Sequence, residues 1–525
     1  MPDGGSSSPV PARRAPNLML QALLLVLAAA LAGFTILQGI APHDEGLMLQ
    51  AGSRIASGQW PYRDFWMNYE PGQPVLLAGL QKLFGPSLLD WRVMLVAVDA
   101  VVALLVYRFS RRRACPLYAL GAWLAVAGAM AYPSLPGPNP PALLLAFAAL
   151  IAADRAPRAA GLLAGLACFF RLEIGIAAIA GVALEAPRGA RSRPVLIAVS
   201  CALVTLAPFF AVAPGAMWRD TIGFYAIQGL QRLPFPLDFH GPLKPSKLIE
   251  FYAPLILVVA LAVWILAAGT ELRRARDPGM WSAAPLAIVG LAYLLGRTDE
   301  FHLVPLAAVL PVMLAWSAAA APPRALRGAL LVSLTLLAAH GVERRVGQAL
   351  HPPALAAVPG PAGDGVETSP AAARSLAALE RELAILTRPG EPIFVANPRF
   401  DIVHAGDPLL YIITGHPNPT RYDVMQPGVV TTAPVQREII SSLQRSHTRV
   451  VVRWLDPRAS LVEPNGAGRS SGVHILDRYL AANFEPTARF GFYQVLVLRK
   501  VLVRLKVLAR REVLARHASA SGMAR

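Results

Sequence analysis

Apolar runs recur through the first 340 residues of this chain, and about 20 consecutive apolar residues are enough to cross a bilayer. Eleven stretches read as spans, at approximately 18–40, 88–107, 116–132, 139–153, 159–170, 174–187, 195–213, 250–268, 280–296, 301–319 and 328–342. The first outruns the 7–15-residue apolar core of a signal peptide and reads as a retained span after the tail 1–17. The expected fold is therefore a polytopic α-helical membrane protein with about 11 transmembrane helices across 18–342. Composition agrees: charged residues make up 15% of the chain, against about 25% in a soluble domain. That deficit is confined to the first two thirds, so one chain meets two environments.

Short-loop cations set the expected orientation. With the N-terminus inside, Arg108, Arg111, Arg112, Arg113, Arg155, Arg158, Arg188, Arg191, Arg193, Arg273, Arg274, Arg276, Arg324 and Arg327 all fall on the cytoplasmic side. The alternate loops, 41–87, 133–138, 171–173, 214–249 and 297–300, then face outward, with fewer bases and more Pro, Gly and aromatic residues. The net charge of +17 is explained by these clusters and not by a nucleic-acid surface, which would gather its cations on one soluble face. Cys115, Cys168 and Cys201 lack the spacing of a disulfide framework or a zinc motif.

On the same alternation the C-terminal third lies outside: a Pro/Gly/Ala linker over 343–370, then an extracytoplasmic α/β domain over 371–525. Its pattern predicts helices at 371–387 and 434–446, strands at 392–396 and 448–453, and a β-hairpin over 484–499. The basic, amphipathic tail 499–525 reads either as a contact for anionic membrane lipids or as a solvated helix.

The outer loop 41–87 carries the densest chemistry: His43-Asp44-Glu45-Gly46, then Gly58 through Phe65, then Tyr69-Glu70-Pro71-Gly72. Asp44 and Glu45 begin where the first span ends, and Trp60, Tyr62, Phe65, Trp66 and Tyr69 suggest a folded interfacial platform. Two more charged groups share that side. Arg171 and Glu173 interrupt an apolar stretch, and because helical residues two apart do not face each other, a helix break turning both toward a polar cavity is expected. Arg297, Asp299 and His302 sit in and beside a short hinge between spans. Carboxylates, two arginines and a histidine on one face suit phosphate-leaving-group chemistry, which needs a base for the acceptor and cations for the departing phosphate. A transporter or lipid flippase, the alternative, would place polar groups near the midplane of symmetric halves.

Asp44-Glu45-Gly, Gly-x-x-Pro-Tyr-x-Asp-Phe at 58–65 and Tyr-x-Pro-Gly at 69–72 resemble the C-type superfamily of membrane glycosyltransferases. The similarity is greatest to the branch with protein O-mannosyltransferases and the lipid A aminoarabinose transferase. Phe170-Arg171-Leu-Glu173, Gly-Arg297-Thr-Asp299-x-x-His302 and Pro419-Thr-Arg421-Tyr422 are similar to phrases of bacterial members. The resemblance implies a polyprenyl-phosphate-linked sugar donor, an outward site at the inner membrane, a cell-envelope acceptor and inversion at the anomeric carbon. Asp44 matches the catalytic base and Glu45 its partner, with Arg171, Arg297 and His302 candidates for the donor phosphate. Tyr62, Asp64, Tyr69, Glu70, Glu173 and Asp299 are candidates for acceptor contact or for shaping the loop. Glu70 stands where many relatives have proline. Metal use stays open: His43, Asp44, Glu45, His240 and His302 could ligate a divalent metal but lack a diagnostic spacing, and the protein O-mannosyltransferases they resemble need none.

Overall fold

A computed structural model of the protein describes residues 17–130, 137–187, 189, 191–235, 245–267, 278–320 and 324–502. Arg188, His240, Arg273, Arg274, Arg276, most of the N-terminal tail and the basic tail beyond 502 lie outside these residues.

Helices form where apolar runs meet good starting residues. The first run gives α1 (Leu18–Gly33), begun by the Asn17 side chain accepting from Leu20 N–H. It ends earlier than expected, because 34–38 turn through hydrogen bonds from Ile36 N–H to Gly33 and from Gln38 N–H to Thr35. The outer loop holds α2 (Asp44–Ala56) and α3 (Gly72–Phe84). Next come α4 (Leu88–Ser110), capped by Ser87, α5 (Pro116–Ala129), α6 (Asn139–Ala152), α7 (Pro157–Phe170) and α8 (Leu172–Glu185). Proline opens α5 and α7, where its missing N–H costs nothing. They are followed by α9 (Ser192–Val212), the short α10 (Pro214–Asp220) and α11 (Phe224–Gln228), and α12 (Pro245–Ala267). The series closes with α13 (Ala284–Gly296), α14 (Glu300–Ala320) and α15 (Arg324–Leu350).

Each expected apolar run thus contains a helix. Among the described residues four are long and apolar enough to cross a membrane: α4, α9, α14 and α15. The shorter apolar helices include α1, α5, α6, α7 and α13. Small residues let them pack closely, the arrangement that lipid-embedded helices use in place of a hydrophobic driving force. On α7, Gly161 and Gly165 lie against α9, where a Cβ would fall 2.5 Å from the Pro194 carbonyl oxygen and 2.4 Å from that of Ala198.

Beyond α15, which runs past the expected boundary at 342, the linker is ordered by a small pairing of β1 (Ala356–Ala357) with β2 (Glu367–Thr368). There follow α16 (Pro370–Leu386), β3 (Ile393–Ala396), α17 (Leu409–Thr414), α18 (Ala433–Arg445), β4 (Val450–Trp454), α19 (Ile475–Asn483) and the hairpin of β5 (Phe484–Phe490) with β6 (Tyr493–Leu498). The sheet order is β3-β4-β6-β5; β3 and β4 are parallel, with Ile393 opposite Val450, and the other pairs antiparallel. A parallel pair needs a long crossover, and the segment with α17 and α18 supplies it.

That crossover also docks the C-terminal part onto the outer loop. Arg54 of α2 and Asp423, both buried, pair at 2.7 Å. Trp66 N–H donates to the Arg421 carbonyl (2.9 Å), and the Arg421 guanidinium donates to the Tyr62 carbonyl (2.7 Å). Gly46 on α2 meets α17 so closely that a Cβ would lie 2.1 Å from the Leu409 nitrogen. One apolar core consequently runs from Leu47, Met48 and Trp66 through Leu409 and Ile413 to Val451 and Leu496.

Candidate active site

The two adjacent carboxylates at the start of α2 have opposite surroundings. Glu45 is fully buried: its carboxylate accepts from Arg92 Nε (2.7 Å) and Nη2 (2.8 Å), from Trp91 Nε1 (3.2 Å) and from Ala41 N–H (3.3 Å). Arg92 spends its remaining donors on the carbonyls of Ile36 (2.8 Å) and Gly39 (2.7 Å). Glu45 is therefore turned away from any substrate and holds the chain between α1 and α2 to α4. Asp44 is exposed, and no hydrogen bond or ion pair engages it among the described residues. Its charge reaches His43 and Tyr69.

Arg171 separates α7 from α8 with an extended backbone (φ −150°, ψ 112°). The expected helix break is present. Arg171 and Glu173 form an ion pair across it, because the break removes the helical geometry that keeps residues two apart from meeting. The Arg171 guanidinium also lies over the rings of Tyr69 (5.5 Å) and Tyr293 (4.9 Å), and its buried Nε has no hydrogen-bond partner. Tyr293 of α13 packs on the His302 ring (4.3 Å), and His302 Nδ1 lies 2.6 Å from Asp299 Oδ1. Asp299 in turn pairs with Arg297 Nε (2.9 Å). Burial opposes ionisation of Asp299, but His302 and Arg297 prevail and hold its carboxyl below the usual range.

The chain of contacts continues into the C-terminal part. Arg297 grips Glu463 with both terminal nitrogens, at 3.1 Å through Nη1, and His404 Nε2 lies 2.8 Å from the same carboxylate. Burial works against the charge on Glu463, yet His404 and Arg297 pull it down to about 2. His404 Nδ1 lies 3.1 Å from the Arg458 carbonyl. Both of its partners only accept, so the ring satisfies them together when both nitrogens carry protons. His43 closes the arc. Its Nδ1 accepts from Gly406 N–H (3.1 Å), which leaves the proton of the neutral ring on Nε2. Burial holds this imidazole below its ordinary pKa, with His404 and Arg297 acting in the same direction and Asp44 against them.

The loop residues are mostly scaffolding. Tyr62, at φ +66°, is wholly buried and donates from its hydroxyl to the Tyr69 carbonyl (2.7 Å). Asp64 accepts from Trp60 N–H (2.7 Å) and pairs with Arg63. Glu70 accepts from Leu172 N–H (3.1 Å) at the start of α8. Burial pushes the Glu70 carboxyl up to about 7; Arg171 pulls it down and Glu173 raises it further. In the outer loop α2 and α3 are helical, while 57–71 between them is an irregular platform.

The structure thus brings Asp44, Tyr69, Glu70, Arg171, Glu173, Arg297, Asp299 and His302 into one connected region. It adds four residues that the sequence reading missed: Arg92, Tyr293, His404 and Glu463. Of the two arginines, Arg297 is already neutralised by two carboxylates, whereas Arg171 keeps a vacant donor. Among the described residues the one grouping at metal-ligand spacing is elsewhere, at Asp401, His474 and Asp477. There Asp401 is engaged by Arg399 (2.6 Å) and Ser470, a poor cradle for a cation.

No family model and no curated protein matches the sequence. Solved structures do match. The crystal structure of ArnT from Cupriavidus metallidurans bound to undecaprenyl phosphate is similar at TM-score 0.52 and 15% identity, covering 91% of this chain and 97% of that one. The apo state of the same protein gives TM-score 0.54 at 14% identity, with 91% and 98% covered. The Archaeoglobus fulgidus oligosaccharyltransferase in its apo form gives TM-score 0.50 at 12% identity, covering 84% of this chain and 70% of that one.

Proposed function

We propose that this membrane protein, which has the fold of the C-type membrane glycosyltransferases, moves a sugar from a polyprenyl-phosphate carrier to an acceptor of the cell envelope. Its apolar helices span the inner membrane, and the site and C-terminal part face outward. The observation that carries the reading is an unengaged carboxylate, Asp44, and a buried guanidinium with a vacant donor, Arg171, whose charges both reach Tyr69 of the outer loop. An acceptor hydroxyl needs the first and a departing phosphate the second. The ArnT structure bound to undecaprenyl phosphate supports the class of carrier.

In this reading the acceptor oxygen attacks the anomeric carbon as its proton passes to the Asp44 carboxylate. The bond from that carbon to the phosphate oxygen breaks, and the electron pair leaves with the polyprenyl phosphate, whose charge Arg171 meets. The configuration inverts. Tyr69 and Tyr293 fix the guanidinium by packing on both sides of it. Arg297, Asp299 and His302 position the hinge, and Glu45 holds the start of α2 so that Asp44 projects into the open.

Asp44→Asn keeps the shape and removes the basicity, so transfer falls by about 10²–10⁴-fold. The donor is identified by comparing lipid-linked sugars in cells with and without the protein. One lipid-linked sugar accumulates without it and with Asp44→Asn. Unchanged lipid-linked sugars, or full transfer by a well-expressed Asp44→Asn variant, would defeat the proposal.

A further inference from the structure

Behind the first turns of α14 lies a cavity of about 360 Å³, bounded by α4, α5, α6, α12, α14 and α15. One helix separates it from the site: Asp299 and His302 face the Arg297 network, while Phe301, Val304 and Ala307 line the cavity. Its lining on α14 runs from Glu300 to Pro311, a depth of about 16 Å at 1.5 Å per residue. The walls are mainly hydrocarbon. Ser333, His340 and Glu300 interrupt them, as do two acceptors: Asp99 and Asn139, 4% and 2% exposed, each have a buried Oδ1 without a hydrogen-bond partner. Buried acceptors in folded proteins are almost always partnered, and a charged residue among membrane helices marks a binding function by default.

The electrostatics narrow the occupant. Asp99, Glu300 and His340 line the space, among the described residues no lysine or arginine does, and the charge of Arg345 reaches Asp99. A phosphate headgroup would meet carboxylates here, and a hydrocarbon tail alone would leave both acceptors unpaired. We infer that the cavity takes an amphiphile with a hydroxyl or ammonium group, which donates to Asp99 and Asn139 while its apolar chain lies along α14. Lying across α14 from the Arg297 network, it is the seat of the lipid portion of the acceptor. The word acceptor rests on the transferase reading; the preference for a donor-bearing amphiphile does not.

Native mass spectrometry of the full-length protein, titrated with 1-oleoylglycerol, oleylamine and undecaprenyl phosphate, tests this. The parent binds one molecule of 1-oleoylglycerol or oleylamine at this cavity. Ala307→Phe, which fills the space, weakens that binding at least 10-fold, and Asn139→Leu, which removes one acceptor, weakens it several-fold. Both keep undecaprenyl phosphate binding at the parental level, which also reports that they are folded. Undecaprenyl phosphate lost in Ala307→Phe would make the cavity the carrier's tail groove and overturn the inference. Binding of 1-oleoylglycerol and oleylamine that is absent, or insensitive to both substitutions, would leave the two acceptors to water and overturn it as well. Failure of the transferase reading shows separately, as undecaprenyl phosphate binding that is absent or survives Arg171→Ala.

Discussion

Glu45→Gln and Asp44→Asn change adjacent carboxylates in the same way, and their consequences should be opposite. The Glu45 carboxylate takes four hydrogen bonds, two of them from an arginine that is itself 0% exposed. A glutamine fills the same volume but turns an amide N–H₂ toward Arg92, leaving a buried guanidinium uncompensated. Breaking a buried pair from one side costs about 3–5 kcal/mol, or roughly 10²–10⁴-fold in the folded-to-unfolded ratio. Asp44 is exposed and unengaged, so its replacement changes stability by no more than about 0.5 kcal/mol, while transfer collapses. Unfolding in mixed micelles with increasing dodecyl sulfate reads the first quantity, and transfer per folded molecule the second. Glu45→Leu with Arg92→Met together should recover part of the loss, since apolar replacements of a buried pair are often tolerated. Recovery stays incomplete, because Arg92 also holds the Ile36 and Gly39 carbonyls. A Glu45→Gln variant as stable as the parent but inactive would show that the roles of the two carboxylates have been exchanged.

Arg171→Ala should weaken undecaprenyl phosphate binding by about 10–150-fold, the worth of one charge-assisted hydrogen bond. Arg297→Ala, which leaves Asp299 and Glu463 facing each other, should lower the unfolding midpoint more than the affinity; equal affinity losses in a binding titration would contradict this. Glu70 has a carboxyl raised from 4.5 to about 7, so between those values the folded chain holds a proton that the unfolded chain has lost. Its contribution to stability therefore falls as pH rises from 4.5 toward 7 and is level above that, and Glu70→Gln should flatten the slope in melts across that window. Gly46→Ala must displace α17 from α2, which faster hydrogen exchange over 406–414 would reveal; unchanged protection would mean the contact is looser than described.

Much of this was legible in the sequence, for reasons that differ by region. Apolar runs read well because helix is what such runs form, and the short runs at 159–170 and 174–187 are short because Arg171 divides them. In the C-terminal part, 392–396 and 448–453 read as strands and appear as β3 and β4, being apolar on both faces. The short α17 and α19 were not foreseen. Asp44, Arg171, Arg297 and His302 stood out as charges beside apolar helices. Their partners did not. Arg92 lies within an apolar helix whose other residues masked it, and Tyr293 looked like one more apolar residue of α13. His404 and Glu463 sit in loops rich in Pro, Gly and Asp, where a charge reads as solvated; only the fold shows that both face Arg297. The spacing of Arg171 and Glu173 did point to the helix break across which they pair.

The hydrogen bond from Gly406 to His43 joins residues 363 positions apart, and Leu409 N–H donates to Pro42 in the same place. At 5–20 residues per second, a ribosome needs roughly 20–70 s to make the intervening chain. Throughout that interval the first helix can already be inserted while the loop beside Asp44 lacks the segment that shapes it. The chain is therefore assembled with Asp44 in place first and the contacts that shape its surroundings last. A nascent chain stalled near residue 400 should show the 41–71 loop open to protease, and release of the finished chain should close it. The arrangement around Asp44 is by this means withheld from every unfinished copy.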